Sequence, residues 1–307
     1  MKAERRWLDH SLPPVYNAPM QIAMIATMNR PHAVEIVRRT VHWLRAHGHA
    51  ARMTAALAEA ADCPELGVPE NAVMAGADLA LSIGGDGTML GTASLAAPHQ
   101  VPVLGVNAGA LGFLTELTPN ELPQYLPRVL AGDYTLEPRM LLRAQLRRDD
   151  AVVAESTALN DIVVRQGITS RMINLEVRVA GHRLGRFGAD GLIVSTPTGS
   201  TAYCLSAGGP IVHPGASVMV LVPICPHSLS FRPMVIPATD PVEILCESNS
   251  HGDEMMVTTD GHQPVTANPG DRVTIAVAAE HALLVKLGLF SFYDRLREKL
   301  QWGGNRG

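Results

Sequence analysis

Residues 79–88 read LALSIGGDGT, an apolar run that ends in three glycines placed around one acid, Asp86. A helical pattern follows the turn. Glycines let a backbone turn sharply and approach a ligand closely, and the N–H groups of such a turn and of the helix behind it form an anion site. An aspartate there would repel a phosphate, so Asp86 is better explained by work on a proton or a metal ion. The stretch therefore indicates an α/β fold that carries out phosphoryl transfer.

Known nucleotide motifs do not account for this turn. The chain has no G-x-x-x-x-G-K-[ST] loop, and Gly85, Gly87 and Gly91 give G-x-G-x-x-x-G rather than the dinucleotide fingerprint G-x-G-x-x-G. One alternative is a plain βα turn in which the glycines serve geometry and Asp86 caps its helix. The turn alone does not choose between these interpretations.

Residues 20–132 carry the pattern of an α/β domain. Continuous apolar runs at 21–26, 78–83 and 101–106 suit strands of a parallel sheet that is covered on both faces. Apolar residues recur at helical spacing over 34–44. Binding turns of such a sheet lie at the carboxyl ends of its strands, which is where the Gly-Asp-Gly turn falls.

The pattern changes after residue 132, where Val, Ile and Thr become abundant and Gly, Pro and Asn recur at short intervals. We therefore predict an all-β domain over 133–280, preceded by the α/β domain and by a proline-bearing arm at 1–19. The tail, 281–307, contains a helical pattern at 292–300. The strands predicted in the second domain are 141–146, 158–164, 173–179, 192–195, 218–223, 242–246, 255–259 and 273–278.

Composition excludes several classes of protein. The 307 residues carry a net charge of −4 and give no nucleic-acid footprint. No apolar run is long enough for a membrane helix, and the charged start lacks the apolar core of a signal peptide. The four cysteines and twelve histidines show no metal-ligand spacing, so we expect free thiols, a cytoplasmic protein and no dedicated metal cage.

Three further motifs accompany the Gly-Asp-Gly turn. Residues 105–115 read GVNAGALGFLT, the pair Asn160-Asp161 follows, and residues 190–203 read DGLIVSTPTGSTAY. In this order and spacing the four motifs resemble the NAD kinase family over roughly residues 20–300. The resemblance implies a Rossmann-like α/β N-terminal domain with a mostly parallel sheet, followed by an all-β C-terminal domain and a tail that packs back on the first.

The resemblance also implies the reaction. NAD kinases transfer the γ-phosphoryl of ATP to the 2′-hydroxyl of the adenosine ribose of NAD, which gives NADP. By this likeness Asp86 is the general base, and Gly85 and Gly87 let the phosphates approach the backbone. Mg²⁺, or another divalent cation, is expected on the nucleotide phosphates rather than in a protein cage. Relatives are usually dimers or tetramers, so a homodimer or homotetramer is expected.

Asn160 and Asp161 are expected inside the apolar strand 158–164. Two polar groups in such a setting cost free energy unless they are satisfied. The resemblance implies that the pair binds the dinucleotide, since an amide can meet an adenine edge and a carboxylate can accept from ribose hydroxyls. A strand-end bulge or an internal hydrogen bond is the alternative.

More ligand positions follow from the resemblance. Half of the run 190–203 is also compatible with an ordinary Ser/Thr-rich turn, and simple core packing is the alternative for Phe113. The residues implied to border the dinucleotide are Asn107, Phe113, Asp190, Thr201, Ala202, Tyr203 and Ser206.

The sequence departs from the family at a few positions. His262 stands where a glutamine contact is often found, and Gln263 would point to the opposite face of a strand. Gly188 stands where some relatives carry an arginine near the dinucleotide. Arg171 lies where relatives often have a polar or basic ligand contact. None of these departures touches the Gly-Asp-Gly turn.

Two other functions compete with this interpretation. A lipid kinase of the related Gly-Gly-Asp-Gly group would need a membrane-facing apolar or basic element, which the sequence lacks, and would leave residues 190–203 unexplained. A non-catalytic NAD-sensing module would not need Asp86 beside phosphates.

Overall fold

The computed structural model describes residues 18–109, 112–167, 172–228, 230–247 and 254–301, apart from the side chain of Gln263. The chain divides into two compact units. The first comprises Met1–Pro138 and Ala282–Gly307, and the second comprises Arg139–His281. The sequence prediction set these divisions at 132/133 and 280/281.

The first unit is built on parallel strands with helices between them. Its strands are β1 (Gln21–Ala26), β2 (Ala50–Thr54), β3 (Gly67–Val68), β4 (Leu79–Gly84) and β5 (Val103–Asn107). Its helices are α1 (Pro31–Ala46), α2 (Ala55–Ala60), α3 (Asp86–Ala96) and α4 (Leu122–Leu130), with 3-10 turns at Pro64–Leu66, Glu70–Ala72 and Ala97–His99. The strand order is β3-β2-β1-β4-β5.

Continuous burial of its central strands accompanies the parallel arrangement of this sheet. All residues of β4 and β5 are buried, as expected for strands covered on both faces. The helix α1 begins with Pro31 at its first position, and Gly48 beyond its end has a φ of +78°. A core of β1, β2, β4 and β5 side chains packs against α1 and α4. The predicted α/β fold of this part is confirmed.

The second unit is made mainly of antiparallel strands. They are β6 (Thr135–Arg148), β7 (Ala151–Ala158), β8 (Asp161–Gln166), β9 (Ile173–Val179), β10 (His182–Ala189), β11 (Gly191–Ser195), β12 (Val218–Ile224), β13 (Met234–Pro237), β14 (Val242–Glu247), β15 (Met255–Thr259), β16 (His262–Ala267) and β17 (Arg272–Lys286). The first residues of β6 and the last of β17 belong to the first unit.

One sheet of the second unit has the order β13-β12-β11-β8-β15-β16, with every neighbouring pair antiparallel. The strands β10, β9, β14 and β17 form a second antiparallel array. Side chains of both sheets share one core. The predicted β domain is confirmed, with a 3-10 turn (Thr198–Thr201) and a helical turn α5 (Tyr203–Ser206) inserted after β11.

The tail contains the predicted helix, α6 (Phe292–Leu300). It begins with a capping box in which Ser291 and Asp294 exchange hydrogen bonds. The buried side chains of this helix are those of Arg295 and Leu296. No described helix is long and apolar enough to cross a membrane.

Candidate functional site

The Gly-Asp-Gly turn lies between β4 and α3. A Cβ atom on Gly84 would lie 2.6 Å from the Cβ of Thr88, so packing inside the turn requires this glycine. A Cβ on Gly85 or Gly87 would meet nothing within 4 Å, and neither residue has a positive φ. Their bare backbone therefore faces open space at a helix start, where N–H groups without helical partners favour an anion.

The Asp86 carboxylate is anchored by a second loop of the same unit. Oδ2 accepts a hydrogen bond from the backbone N–H of Phe113 (2.9 Å), and Oδ1 accepts one from Leu114 (3.1 Å). A Cβ on Gly112 would lie 2.7 Å from the Cγ of Asp86, so the carboxylate occupies the space over that glycine. The alternative in which Asp86 caps its own helix is wrong, because Gly85 is the N-cap and receives no side-chain bond.

Asn107 and Phe113 shape this neighbouring loop. Asn107 ends β5 and is buried, and its Oδ1 accepts from the N–H of Gly109 at 2.8 Å. The next N–H, that of Ala108, donates to the carbonyl of Gly84 at 2.8 Å, which ties the loop to the glycine-rich turn. Phe113 is half-buried. Its backbone N–H, rather than its ring, makes the contact with Asp86.

A polar cavity of about 400 Å³ lies within the second unit. Four of the sequence-predicted residues border it, namely Asn160, Asp161, Ala202 and Tyr203. Tyr203 is 45% exposed as a residue, and an aromatic ring at the cavity edge can stack on a ligand. The other residues that line the cavity are Val163, Arg165, Thr258, Asp260 and Gly261.

Asp161 is the most unusual group in this cavity. Asp161 is buried, with only 4% of the residue exposed. Burial, reinforced by the charge of Asp260, raises the pKa of Asp161 to about 7. Both causes oppose ionisation, and a carboxyl held at such a cost in a cavity is characteristic of a functional group.

Asp260 is a residue that the sequence analysis did not assign to the site. Its carboxylate accepts from three consecutive backbone N–H groups, those of Leu159 (2.8 Å), Asn160 (2.7 Å) and Asp161 (3.1 Å). Burial raises the pKa of Asp260, while these hydrogen bonds and the charge of His262 act in the opposite direction. The position of the Asn-Asp pair therefore depends on this second carboxylate.

The local sequence explains how Asp260 reaches the pair. Asp260 (φ +50°) and Gly261 (φ +72°) form the two-residue turn between β15 and β16, where Thr259 pairs with His262. Two consecutive left-handed residues match a type I′ hairpin, for which Asp-Gly is a preferred sequence. This Asp-Gly pair before a β-type run was the available signal for the turn.

The placement of Asn160 within a strand was wrong. The strand β7 ends at Ala158 and β8 begins at Asp161, so Asn160 lies in the break between them. Its N–H turns to Asp260, and its carbonyl accepts from the backbone N–H of Thr196 at 2.8 Å. Because these groups are bonded outside the ladder, the apolar run divides into two strands.

In the Ser/Thr-rich segment after β11, several hydroxyl groups bond to backbone carbonyls and are therefore not all directed at a ligand. The Thr196 hydroxyl donates to the carbonyl of Leu159 at 2.6 Å, and the Ser200 hydroxyl donates to the carbonyl of Pro197 at 2.6 Å. A Cβ on Gly199 would lie 2.5 Å from the carbonyl carbon of Asn160. This segment therefore supports the loop that carries the Asn-Asp pair.

Other predicted residues do not border the cavity. Thr201 bonds the carbonyl of Thr198 at 3.3 Å through its hydroxyl, and Ser206 is exposed at the end of α5. His262 is the exposed first residue of β16. Asp190 links β10 to β11, and its backbone pairs with Gln166 and Ile224.

Gly188 lies in β10, opposite Asn174 of β9, and also outside the cavity lining. A Cβ at this position would lie 2.9 Å from the Cε of Met172. Arg171 lies outside the described residues. Within the described ranges, no group of three His, Cys, Asp or Glu side chains is arranged to hold a metal ion.

The α/β unit with its Asp-bearing turn and the β unit with its polar cavity define a kinase that works on nucleotides. Two family models match the chain: the ATP-NAD kinase N-terminal domain over residues 22–134 and the ATP-NAD kinase C-terminal domain over residues 159–287. The chain belongs to the ATP-NAD kinase family.

Individual relatives agree with this assignment. The chain is 44% identical to an NAD kinase of Moorella thermoacetica, covering 93% of this chain and 91% of that relative. It is 40% identical to an NAD kinase of Geotalea daltonii, covering 92% and 99%. Among solved structures, it is similar to a yeast NADH kinase complexed with NADH (TM-score 0.87, 26% identity, 94% and 89% covered). It is also similar to an NAD kinase from Archaeoglobus fulgidus in complex with ATP (TM-score 0.69, 26% identity, 92% and 98% covered).

Proposed function

We propose that this chain catalyses the ATP-dependent phosphorylation of NAD at the 2′-hydroxyl of its adenosine ribose, with Asp86 as the general base. One observation carries the assignment of the base. The Asp86 carboxylate is fixed by the N–H groups of Phe113 and Leu114, at a turn where Gly85 and Gly87 leave the backbone bare. The family relationship supports the substrates, NAD and ATP.

A fixed base is one of the protein groups that this chemistry uses. An alcohol is a weak nucleophile, and a positioned base contributes about 10²–10⁴-fold to the rate. Each oxygen of the Asp86 carboxylate accepts one backbone hydrogen bond, which leaves lone pairs to receive the hydroxyl proton. The loose transition state of phosphoryl transfer makes the remaining task one of positioning and charge neutralisation.

Asn160 and Asp161 are proposed to bind the dinucleotide in the polar cavity. An amide can read an adenine edge, and an ionised carboxylate can accept from ribose hydroxyls. The raised pKa of Asp161 supports this role, because binding supplies donors that favour the ionised form. The exposed ring of Tyr203 is proposed to flank a ring of the ligand.

Mg²⁺ is proposed as the divalent partner of the nucleotide phosphates. The described residues offer no three-ligand cage, which suits an ion that keeps several waters and binds through phosphates and one or two carboxylates. When bound, the ion neutralises charge on the transferred phosphoryl group.

Further parts of the proposal concern the acceptor, the assembly and the compartment. The likeness to a yeast NADH kinase complexed with NADH favours NADH as a second acceptor. A homodimer or homotetramer is proposed from the family resemblance. The thiols of Cys63, Cys204, Cys225 and Cys246 are free, which supports a reducing compartment such as the cytoplasm.

Asp86→Asn tests the role of the base. We expect NADP formation to fall by about 10²-fold or more, because the amide cannot take the proton. NAD affinity, measured by calorimetry, should stay within about twofold, because the proposed dinucleotide residues are others. The matched control is Asp62→Asn, an exposed aspartate of the same unit, which should leave turnover unchanged. Retention of more than about a tenth of the turnover by Asp86→Asn would contradict the assignment.

A further inference from the structure

The loop that holds Asp86 is bonded on its other side by the C-terminal tail. Glu116 lies two residues beyond Leu114, and its side chain is 1% exposed. One carboxylate oxygen forms an ion pair with Nζ of Lys286 at 2.9 Å, and the other accepts from the backbone N–H of Leu287 at 2.9 Å. Both partners belong to the tail, about 170 residues away along the chain.

A second contact comes from the helix α6. Arg295 is 3% exposed, and its Nη2 donates to the backbone carbonyl of Thr115 at 2.9 Å. Its guanidinium carbon also lies 4.2 Å from the centre of the Phe290 ring. The Nε and Nη1 atoms of Arg295 are buried and have no hydrogen-bond partner among the described residues.

Burying the charged side chain of Arg295 to dock a helix costs desolvation free energy. Burial lowers the pKa of Arg295, because the charged form loses solvation, and only nearby acids oppose that effect. An apolar side chain of similar size would fill the same space without the desolvation cost. What an apolar side chain could not do is donate a hydrogen bond to the carbonyl of Thr115. The residue choice therefore points to control of the loop backbone.

The two sets of contacts meet in one short segment. Phe113 and Leu114 donate to Asp86, and the next two residues, Thr115 and Glu116, are bound by the tail. We propose that Arg295 is a positioning residue for Asp86, acting through the 113–116 segment, with the Glu116–Lys286 pair as a second anchor. This inference rests on the proposed function of Asp86 as the base.

Arg295→Met tests the inference by a split between kinetic parameters. A displaced base should lower kcat by about tenfold or more, because a shift of about 1 Å in a reacting group has effects of that order or larger. The KM values for NAD and ATP should change by less than about twofold, because the hydrogen bond that this substitution removes holds the base rather than a substrate. Arg295→Lys, which retains a donor, should recover part of the kcat.

The matched control is Arg297→Met on the same helix. Arg297 is 69% exposed and contacts Asp294 of its own first turn. This variant should keep wild-type kcat. A folded Arg295→Met enzyme with unchanged kcat would overturn the inference, and so would a fall in kcat that only matches the fall in folded protein measured by circular dichroism.

Glu116→Gln provides the test if Arg295→Met does not fold. The amide oxygen can still accept from Leu287, but the charge pair with Lys286 is removed. A fall in kcat at constant KM supports the inference, and an unchanged kcat overturns it. Asp86→Asn is measured in parallel. An active Asp86→Asn enzyme refutes the proposed base itself, whereas an inactive one beside a fully active Arg295→Met refutes only the positioning role.

Discussion

Two aspartates of this enzyme lie in contrasting environments. Asp86 receives two backbone hydrogen bonds, which fix the direction of its oxygens. Asp161 is buried beside a second carboxylate, and its pKa is raised to about 7. An anchored carboxylate suits a base whose geometry must be constant, and a buried one suits a group that ionises when a ligand supplies donors.

The raised pKa of Asp161 predicts a pH-dependent stability. The folded-state value of about 7 lies above the ordinary value of 3.8, so the folded protein holds this proton more tightly than the unfolded chain. The resulting stabilisation is complete below about pH 4 and is lost as the pH rises to about 7. At pH 8, Asp161→Asn should therefore unfold with a free energy higher than wild type by up to about 4 kcal/mol.

Denaturant titrations of wild type and Asp161→Asn at pH 5 and pH 8 give the measurement. The difference between the two proteins should be larger at pH 8 and should shrink toward acid pH. Calorimetry with NAD provides the control, because the variant lacks the carboxylate that is proposed to accept from ribose hydroxyls and should bind NAD more weakly. A stability difference that does not vary with pH would show that burial of Asp161 carries no such cost.

At the scale of elements, the β15–β16 hairpin holds the 159–161 loop through the Asp260 carboxylate, which accepts from the backbone N–H groups of that loop. The strand predicted at 255–259 matches β15 (Met255–Thr259), since every residue of this run is apolar or β-branched. The contact of its turn with Leu159 was not predictable, because about 100 residues separate the partners and no local pattern records the pairing.

The variant Asp260→Asn should keep the conformation of this turn while removing one of the carboxylate oxygens that accept its hydrogen bonds. Asn suits a left-handed turn position as well as Asp does. Its amide NH₂ would replace one of the two oxygens that accept from Leu159, Asn160 and Asp161. We expect the KM for NAD to rise by about fivefold or more, since a hydrogen bond to a charged group is worth about 1.5–3 kcal/mol.

The chain contains a matched control for this variant. Asp149 has a φ of +48° and is the first of two left-handed residues between β6 and β7. Asp149→Asn should leave the KM for NAD unchanged, because its turn lies between strands without a predicted ligand contact. Equal effects of the two substitutions would mean that the Asp260 carboxylate has no special part in binding.

Other elements show why sequence reasoning succeeded in part. The run 173–179 gives β9 with the same bounds, because alternating burial follows its apolar residues. The strands β10 (His182–Ala189) and β13 (Met234–Pro237) were missed, since half of the residues of β10 and three of the four in β13 are exposed and neither strand shows apolar alternation. Tertiary pairing, rather than local preference, creates such strands.

At the scale of the whole molecule, the C-terminal tail also makes tertiary contacts that its local sequence does not predict. The family model of the C-terminal domain continues to residue 287, whereas Ala282–Gly307 belongs to the first compact unit. Lys286 and Arg295 bind residues about 170 to 180 positions earlier in the chain. The sequence could indicate a helix at 292–300 from its period, but not which backbone carbonyl its buried arginine would meet.

The last prediction concerns the preference of the whole enzyme for NAD or NADH as the phosphoryl acceptor. Some relatives are expected to carry an arginine at the position of Gly188, and here the space above that glycine is taken by the thioether of Met172. The two nicotinamide forms differ by one formal charge, so a nearby cation could shift their relative binding by about 1 kcal/mol or more. Without that cation, the enzyme should phosphorylate NADH as well as NAD.

Rates with NAD and NADH under the same conditions test this expectation in wild type, Gly188→Arg and the pair Gly188→Arg with Met172→Ala. The second substitution matters because a Cβ on Gly188 would lie only 2.9 Å from the Cε of Met172, so the arginine needs room. Met172→Ala alone is the control and should keep the wild-type NADH/NAD ratio. The double variant should change that ratio by about fivefold or more, as expected for about 1 kcal/mol. Rejection of NADH by wild type, or the same ratio in all variants, would mean that acceptor choice is set by other residues.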